Sequence, residues 1–486
     1  MLFLLLLGVI PAYRAVFICP KDGLYPYQSD CSKFYHCAAG FPYLKSCPAG
    51  LFFNALVNAC DWPENVECAE STSSTTSLTS PISTDSTTPE SMTTYKPPPS
   101  GSNLFKIVCY FTNWAFYRPG IGKFLPEDID PTLCTHINYA FAILDPSTMT
   151  LKPHDTWADL DNSFYKRVTS LKLKNPSLKV LLSIGGWTDS AGNKYSRLIS
   201  SASLRQQFIN HVVPFLKQYS FDGLDLDWEY PVCWQTQCEN GPTADKLNFA
   251  KWVQELRKAF NEHHPRLLLT AAVSASKRII DAAYDVGSLS RNLDFINIMS
   301  YDYSGSRDKA TKHHSPLYYH QKDKDPDFNS NFSMNYWLHK GATPTKLVMG
   351  IPFYGRSFTL SNPSSSGLNA PVKGKGLPGT YTREGGFLSY YEICSRIKIQ
   401  GWIKKTDPAT GPYAYGMNQW VGYDDPASVA RKAQYIIDKG FGGAMMWSLD
   451  LDDFKASCCK VRFPLLKTIN YVLRGSPRNP SELGCE

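Results

Sequence analysis

The run Phe221-Asp222-Gly223-Leu224-Asp225-Leu226-Asp227-Trp228-Glu229-Tyr230-Pro231 sets three carboxylates two residues apart. In an extended strand successive side chains point to opposite faces. Asp225, Asp227 and Glu229 therefore share one face, and Leu224, Leu226 and Trp228 share the other. Each charge in such a row raises the cost of ionising its neighbour, so protons are shared and at least one pKa rises. A general acid at neutral pH needs such a group. Pro231 has no N–H for a ladder, so the strand is expected to end there, with Glu229 and Tyr230 at its C-terminal lip. Two blander readings compete: an acidic strand facing water, or a site for a hard cation such as calcium or magnesium. A cation site wants further oxygen ligands from a loop, and none is apparent nearby. A solvated strand has no need of aromatics on both sides of its last carboxylate. Catalysis is the better reading of these residues.

Such a row must be held by a scaffold. From residue 104 onward, short apolar strands alternate with amphipathic segments, the pattern of an α/β fold with parallel strands. Candidate strands fall at 106–114, 136–144, 179–187, 223–230, 267–273, 294–302, 346–355 and 442–450, with the clearest helix at 245–263. Eight strands with intervening helices predict a (β/α)8 TIM barrel, whose active site lies at the C-terminal strand ends. Those ends carry Trp114, Trp187, Glu229, Tyr301, Asp302, Tyr354, Arg356 and Trp447, where a plain core end would carry aliphatics. The stretch at about 357–420 is too long for one βα loop and reads as a small α+β insertion after strand seven, walling one side of a groove.

The row D-G-L-D-L-D-W-E resembles the D-x-x-D-x-D-x-E signature of family 18 glycoside hydrolases, the chitinase family. Ser183-Ile184-Gly185-Gly186-Trp187 resembles that family's second signature. The match runs over about 106–473. It includes Cys109-Tyr110-Phe111-Thr112-Asn113-Trp114, residues 297–302, Tyr354-Gly355-Arg356-Ser357-Phe358 and Trp447-Ser448-Leu449-Asp450-Leu451-Asp452-Asp453-Phe454. The resemblance implies the insertion too. It also implies a mechanism in which the substrate's own N-acetyl carbonyl attacks the anomeric carbon, an exception among retaining glycosidases. Glu229 is then the general acid and later the base, and Asp227 holds the acetamido N–H and steadies the oxazolinium intermediate. Asp225 shares a proton with Asp227, Tyr301 steadies the acetamido oxygen, and Asp302 helps hold the distorted sugar. Trp447 forms the floor, Trp114 and Trp187 the stacking walls, and Tyr110, Phe141, Tyr230, Met299, Tyr354 and Arg356 complete the expected substrate-binding set.

The chain opens MLFLLLLGVIPAYRA, a short apolar run followed by a small residue, so residues 1–15 read as a secretory signal peptide, with the cut before Cys19. The run is too short for a membrane span. Fourteen cysteines fit an oxidising compartment, six before residue 70 and eight after residue 100. Cys19, Cys31, Cys37, Cys47, Cys60 and Cys68 fall in a segment too short to fold on a core alone, and on spacing they allow about fifteen connectivities. With Phe34-Tyr35-His36-Cys37, Gly50-Leu51-Phe52-Phe53-Asn54 and Cys60-Asp61-Trp62-Pro63, residues 19–68 resemble the peritrophin-type chitin-binding module. That resemblance implies Cys19–Cys37, Cys31–Cys68 and Cys47–Cys60. Tyr35, Phe52 and Trp62 are candidates to stack on sugar rings, against the alternative that they form the module's small core. Residues 69–103 are mostly Ser, Thr and Pro, a tether with nothing to bury. The catalytic domain is expected at 104–475, followed by a tail at 476–486.

In the large domain, the family resemblance implies Cys109–Cys134 and Cys394–Cys459. Cys233 and Cys238 lie close in an extra loop and are expected to pair, leaving Cys458–Cys485 by elimination. Asn331-Phe332-Ser333 is an N-glycosylation sequon. His263-His264 and His313-His314 lack metalloprotease spacing and read as solvated surface. A net charge of +7, with no Lys/Arg run beyond two, argues against a nucleic-acid partner. The expectation is a secreted, extracellular, monomeric chitinase acting on chitin and chitooligosaccharides, with no cofactor, no metal and no membrane partner. A non-catalytic chitin-binding lectin on the same fold is the alternative, and an intact Glu229 argues against it. A matrix protein using the barrel as a spacer is poorer still.

Overall fold

The computed structural model describes residues 105–475 and 483–485, together with parts of 17–66. The chain separates into two compact units, Met1–Pro97 and Pro98–Glu486. The expected signal segment and tether lie outside the described residues.

In the first unit, β1 (Gly23–Pro26), β2 (Lys33–Ala38) and β3 (Phe41–Ser46) form an antiparallel sheet in that order, and β4 (Phe52–Asn54) pairs with β5 (Ala59–Asp61). Little can be buried here: among the described residues Cys37, Cys47, Phe53 and Asn54 are the inward ones, with Phe34 stacked on Phe53 at 4.7 Å. Covalent staples supply what so small a core cannot. Cys19–Cys37 and Cys47–Cys60 are formed as expected. Cys31 is disulfide-bonded as well, but Cys68 lies outside the described residues.

The second unit is a closed barrel. Its strands are β6 (Lys106–Thr112), β7 (His136–Leu144), β9 (Lys179–Gly185), β10 (Gly223–Asp227), β11 (Leu268–Ser274), β12 (Phe295–Met299), β13 (Leu347–Pro352) and β20 (Gly443–Trp447), with β8 (Leu151–Pro153) antiparallel on the outer end of β7. Every neighbouring pair in the ring is parallel, and β6 pairs with both β7 and β20 to close it. Strand-to-helix alternation dictates this layout, because parallel strands need crossovers that cover the sheet. On β10, Leu224 and Leu226 face outward into the core, and Trp228 beyond it packs between Tyr195 at 5.4 Å and Phe249 at 6.1 Å. Phe249 belongs to the helix Asp245–Asn261.

Six of the eight barrel strands stop sooner than the sequence suggests. β10 ends at Asp227, so Glu229 and Tyr230 stand in the loop beyond it; β6 turns at Asn113 into a 3-10 turn carrying Trp114. β9 ends at Gly185, which has φ +116°, and a Cβ there would sit 2.2 Å from the Asp227 carbonyl oxygen. At Gly186, with φ +79°, a Cβ would strike the Phe141 ring at 2.5 Å. Only glycine permits both the turn and this close approach.

Between β13 and β20 lies the insertion, built from β14 (Tyr354–Leu360), β15 (Val372–Lys375), β16 (Phe387–Ser389), β17 (Ile403–Asp407), β18 (Gly411–Gly416), β19 (Gln419–Gly422) and the helix Tyr390–Gln400. Its antiparallel sheet runs β15-β14-β19-β18-β17, with β16 also on β14. A capping box of Ser389 and Glu392 starts the helix and Gly401 ends it.

Cys109–Cys134 and Cys233–Cys238 form as expected, but the last two bridges do not. The pairs are Cys394–Cys458 and Cys459–Cys485, in place of Cys394–Cys459 and Cys458–Cys485. The carboxylate of Asp453 accepts the N–H groups of Cys458 at 2.9 Å and Cys459 at 2.8 Å. That turn sends the neighbouring thiols apart, one to the insertion helix and one to the C-terminal tail, a choice no spacing rule contains. The tail is tied down further by Lys398 Nζ, which donates to the Gly484 carbonyl at 2.9 Å. His313 and His314 are a second correction, since both are buried in the second unit. Among the described residues no helix is long and apolar enough to cross a membrane.

Candidate active site

The three carboxylates occupy the barrel axis at increasing height. Asp225 is fully buried and accepts from one donor on each of four strands. Tyr110 Oη donates at 2.6 Å, Thr270 Oγ1 at 2.5 Å, Ser183 Oγ at 2.8 Å and Asn297 Nδ2 at 3.4 Å. Burial raises its pKa, and these donors pull it back. Asp227, one layer up, is buried with Oδ1 lacking any hydrogen-bond partner. Burial first, then the charges of Glu229 and Asp225, push its pKa well above the ordinary value. Glu229 stands half-buried at the mouth, with its pKa pushed up to about 8 by burial and then by the charge of Asp302. A carboxyl in that state holds a proton at neutral pH and can deliver it.

Ser190, which the sequence reading did not single out, sets the turn beneath Glu229. Its hydroxyl accepts the Glu229 N–H at 2.8 Å and donates to the Asp227 carbonyl at 3.4 Å. Non-proline cis peptide bonds stand at Ala140-Phe141, Glu229-Tyr230 and Trp447-Ser448 around the same mouth.

Opposite the row, Asp302 sits with left-handed backbone, φ +58°. Arg356 grips it with two nitrogens, and Tyr354 Oη donates to it at 2.9 Å. Burial alone would raise Asp302, but the Arg356 guanidinium holds its carboxyl well below the usual range. Arg356 in turn lies over the rings of Tyr354 at 5.3 Å and Phe387 at 5.4 Å. Tyr301 Oη reaches only Met445 Sδ, at 3.7 Å.

The aromatics form one surface. Trp447 lies 5.2 Å from Tyr110, 5.8 Å from Phe141 and 6.2 Å from Trp114, with Phe141 nearly parallel to both tryptophans. Trp114 is 37% exposed and Trp187 46%, enough to offer a ring face to a sugar. Asp450 anchors the Trp447 turn: it is fully buried, paired with Arg118, and accepts from Thr112 at 2.8 Å and Ser448 at 2.7 Å. Tyr230 and Met299 are buried at the same strand ends.

Other expected positions stand elsewhere. Tyr35 is half-buried under Phe17, stacked at 4.1 Å, and Phe52 is half-buried; Trp62 lies outside the described residues. Tyr43 on β3, not picked from the sequence, is more exposed than either. Asn331 sits in the helix Ser330–His339, where its side-chain oxygen accepts from Tyr435 and Asn335, both at 3.1 Å.

Residues 106–452 match the model of glycosyl hydrolases family 18, and residues 19–68 match that of the chitin binding Peritrophin-A domain. The chain is 48% identical over 472 residues to Probable chitinase 10 of Drosophila melanogaster, covering 94% of this chain and 20% of that protein. It thus spans about a fifth of that relative's length. A variant of catalytic domain 2 of Ostrinia furnacalis Group II chitinase, in complex with (NAG)5, is 55% identical with a TM-score of 0.75, covering 77% of this chain and 98% of that one. Human YKL-39, described as a pseudo-chitinase with retained chitooligosaccharide binding, is 40% identical with a TM-score of 0.70, covering 76% of this chain and all of that one. Barrel, carboxylate row and matched models agree: the chain belongs to glycosyl hydrolase family 18, the chitinase family, with a peritrophin-A chitin-binding domain ahead of its barrel.

Proposed function

We propose that the protein is a secreted chitinase that hydrolyses β-1,4 bonds between N-acetylglucosamine units with retention, through an oxazolinium intermediate. The observation that carries this reading is Asp227 Oδ1, a buried acceptor without a partner, one step along the row from the proton-bearing Glu229. An acetamido N–H is the donor such an atom lacks, and leaving it unmet costs about 1–3 kcal/mol. A protein nucleophile is disfavoured by the same chemistry, because it must be ionised and free. Asp227 resists ionisation, Asp225 is tied by four donors, and Asp302 is held by Arg356 and Tyr354.

The steps balance as follows. Glu229 gives its proton to the glycosidic oxygen as the bond from the anomeric carbon breaks, and the acetamido oxygen closes on that carbon. Asp227, steadied by Asp225, stabilises the positive ring. Water then attacks the anomeric carbon, Glu229 takes the water proton, and the acetamide re-forms. Tyr301 steadies the acetamido oxygen, Asp302 the distorted sugar, and Trp447, Trp114 and Trp187 the flat faces of the chain. Secretion is supported by the apolar leader and by the disulfides of both units, and a monomer suffices because one chain supplies the whole site. A binding-only protein on this fold is the second reading, favoured by the existence of YKL-39; the retained Glu229 weighs against it. Fully deacetylated chitosan oligomers carry no acetamido carbonyl, so they should resist cleavage while acetylated ones are hydrolysed. A thiazoline analogue of the intermediate should inhibit. Efficient cleavage of deacetylated oligomers would establish a protein nucleophile instead.

A further inference from the structure

Residues 313–315 run behind the active site, and His314 is the one that meets it. The ring is fully buried and lies 4.8 Å from that of Tyr354. Nε2 is 3.0 Å from the Tyr354 carbonyl oxygen, which can only accept, so Nε2 carries a hydrogen. Nδ1 lies 3.4 Å from Asp302 Oδ1 and has no other partner. A neutral ring in this tautomer aims a lone pair at a carboxylate oxygen. An imidazolium puts a proton between the same two atoms.

The other charged groups around the ring are accounted for. Arg356 and Tyr354, both on β14, face it through Asp302. On the far side Asp424 is neutralised by Lys432 Nζ at 2.5 Å, and Lys432 also donates to the Ser315 carbonyl at 2.7 Å. His313 is engaged with the Tyr423 carbonyl at 2.7 Å. Nδ1 therefore has Asp302 as its one direct acid–base partner. Burial lowers the pKa of His314 below the ordinary histidine value and Asp302 opposes the shift, so charging belongs to the acid side.

We propose that His314 is a positioning residue with two states: as imidazolium it adds an Nδ1–H donor to Asp302, and as a neutral ring it leaves Asp302 to Arg356 and Tyr354 with its remaining lone pairs open to the sugar. With the third donor in place, the Asp302 charge is shared among Arg356, Tyr354 and His314 and accepts less well from the substrate. Turnover then falls on the acid side while Glu229 still bears its proton. This consequence for turnover rests on the hydrolase reading; the two-state contact does not.

Two measurements on the full chain test it. The side-chain nitrogens of histidine are followed by NMR between about pH 4 and 8, with the His314 signals identified by their loss in His314→Gln. Nε2 should stay protonated throughout, and Nδ1 should gain a proton as pH falls. In Asp302→Asn that event should move to lower pH, since the attracting charge is gone. Second, kcat on a soluble chitooligosaccharide is measured against pH. His314→Gln can still donate to the Tyr354 carbonyl but does not titrate, so the acid limb of kcat should shift to lower pH. An Nδ1 that never protonates, one indifferent to Asp302→Asn, or an acid limb identical in His314→Gln overturns the proposal. If His314→Gln does not fold, the whole set of histidine Nδ1 titrations in wild type is compared with that in Asp302→Asn, and the absence of any titration moved to lower pH overturns the proposal. A chain that binds oligomers without cleaving them fails the kinetic measurement yet still passes or fails the titration, which separates the two readings.

Discussion

Arg356 takes both carboxylate oxygens of Asp302, Nε to Oδ1 at 2.8 Å and Nη2 to Oδ2 at 2.7 Å. The pair keeps Asp302 ionised, and that charge is second only to burial in holding the Glu229 pKa at about 8. Glu229 acts first as an acid, so its active form exists below that value and kcat/KM should fall as pH rises through it. Asp302→Asn removes a negative charge beside Glu229 and leaves Arg356 uncompensated; both effects favour the Glu229 carboxylate. The alkaline limb of kcat/KM should therefore move to lower pH, read from pH profiles of the two proteins. A limb unmoved or shifted upward would show that Asp302 does not act on Glu229.

Glu229→Gln keeps the shape at the mouth and removes the transferable proton. Hydrolysis of soluble oligomers should drop about 100- to 10,000-fold, with oligosaccharide affinity by calorimetry nearly unchanged. Turnover within about tenfold of wild type would remove Glu229 from the acid role.

Tyr110→Phe deletes one of the four donors to the buried Asp225. Leaving that oxygen short of a partner should cost about 1–3 kcal/mol of stability, seen as a lower denaturation midpoint. The Asp225 pKa should rise further, because the lost hydrogen bond favoured its charged form. Activity should fall less than in Glu229→Gln. An unaltered midpoint would mean that water or relaxation replaces the phenol.

Deleting residues 1–100, with a new signal peptide supplied, should weaken binding and turnover on insoluble chitin and leave kcat/KM on short oligomers nearly unchanged. A tethered binding module raises local concentration only on a surface that both modules can engage at once. Equal losses on both substrates, or a much lower melting temperature, would show that the two units act as one body.

Much of the barrel was legible because each core strand is an apolar run with a clear start: all eight begin within one residue of expectation, and β7 matches at both ends. Six of the C-terminal ends were overrun because the side chains there change role without changing character. Trp114, Trp187 and Glu229 continue the strand pattern in sequence while the backbone already turns. The carboxylate row was visible for its alternation. Its supports were not, since Ser183, Thr270 and Asn297 are single polar residues on separate apolar strands, meeting at Asp225 only through barrel closure. His314 reads in sequence as solvated surface because nothing local marks its loop as one that the insertion covers. The adjacent Cys458 and Cys459 left their pairing to a turn that Asp453 decides.

β14 begins at Tyr354 and carries Arg356 two residues on, and its ladder partners β15, β16 and β19 all belong to the insertion. A miniaturised enzyme spliced from Phe353 to Tyr423 would keep every carboxylate of the row. It would discard the cation and the phenol that hold Asp302, leaving that charge loose beside the acid. The inserted layer is thus no ornament on the barrel: trimming it for a smaller catalyst would remove working parts of the reaction centre.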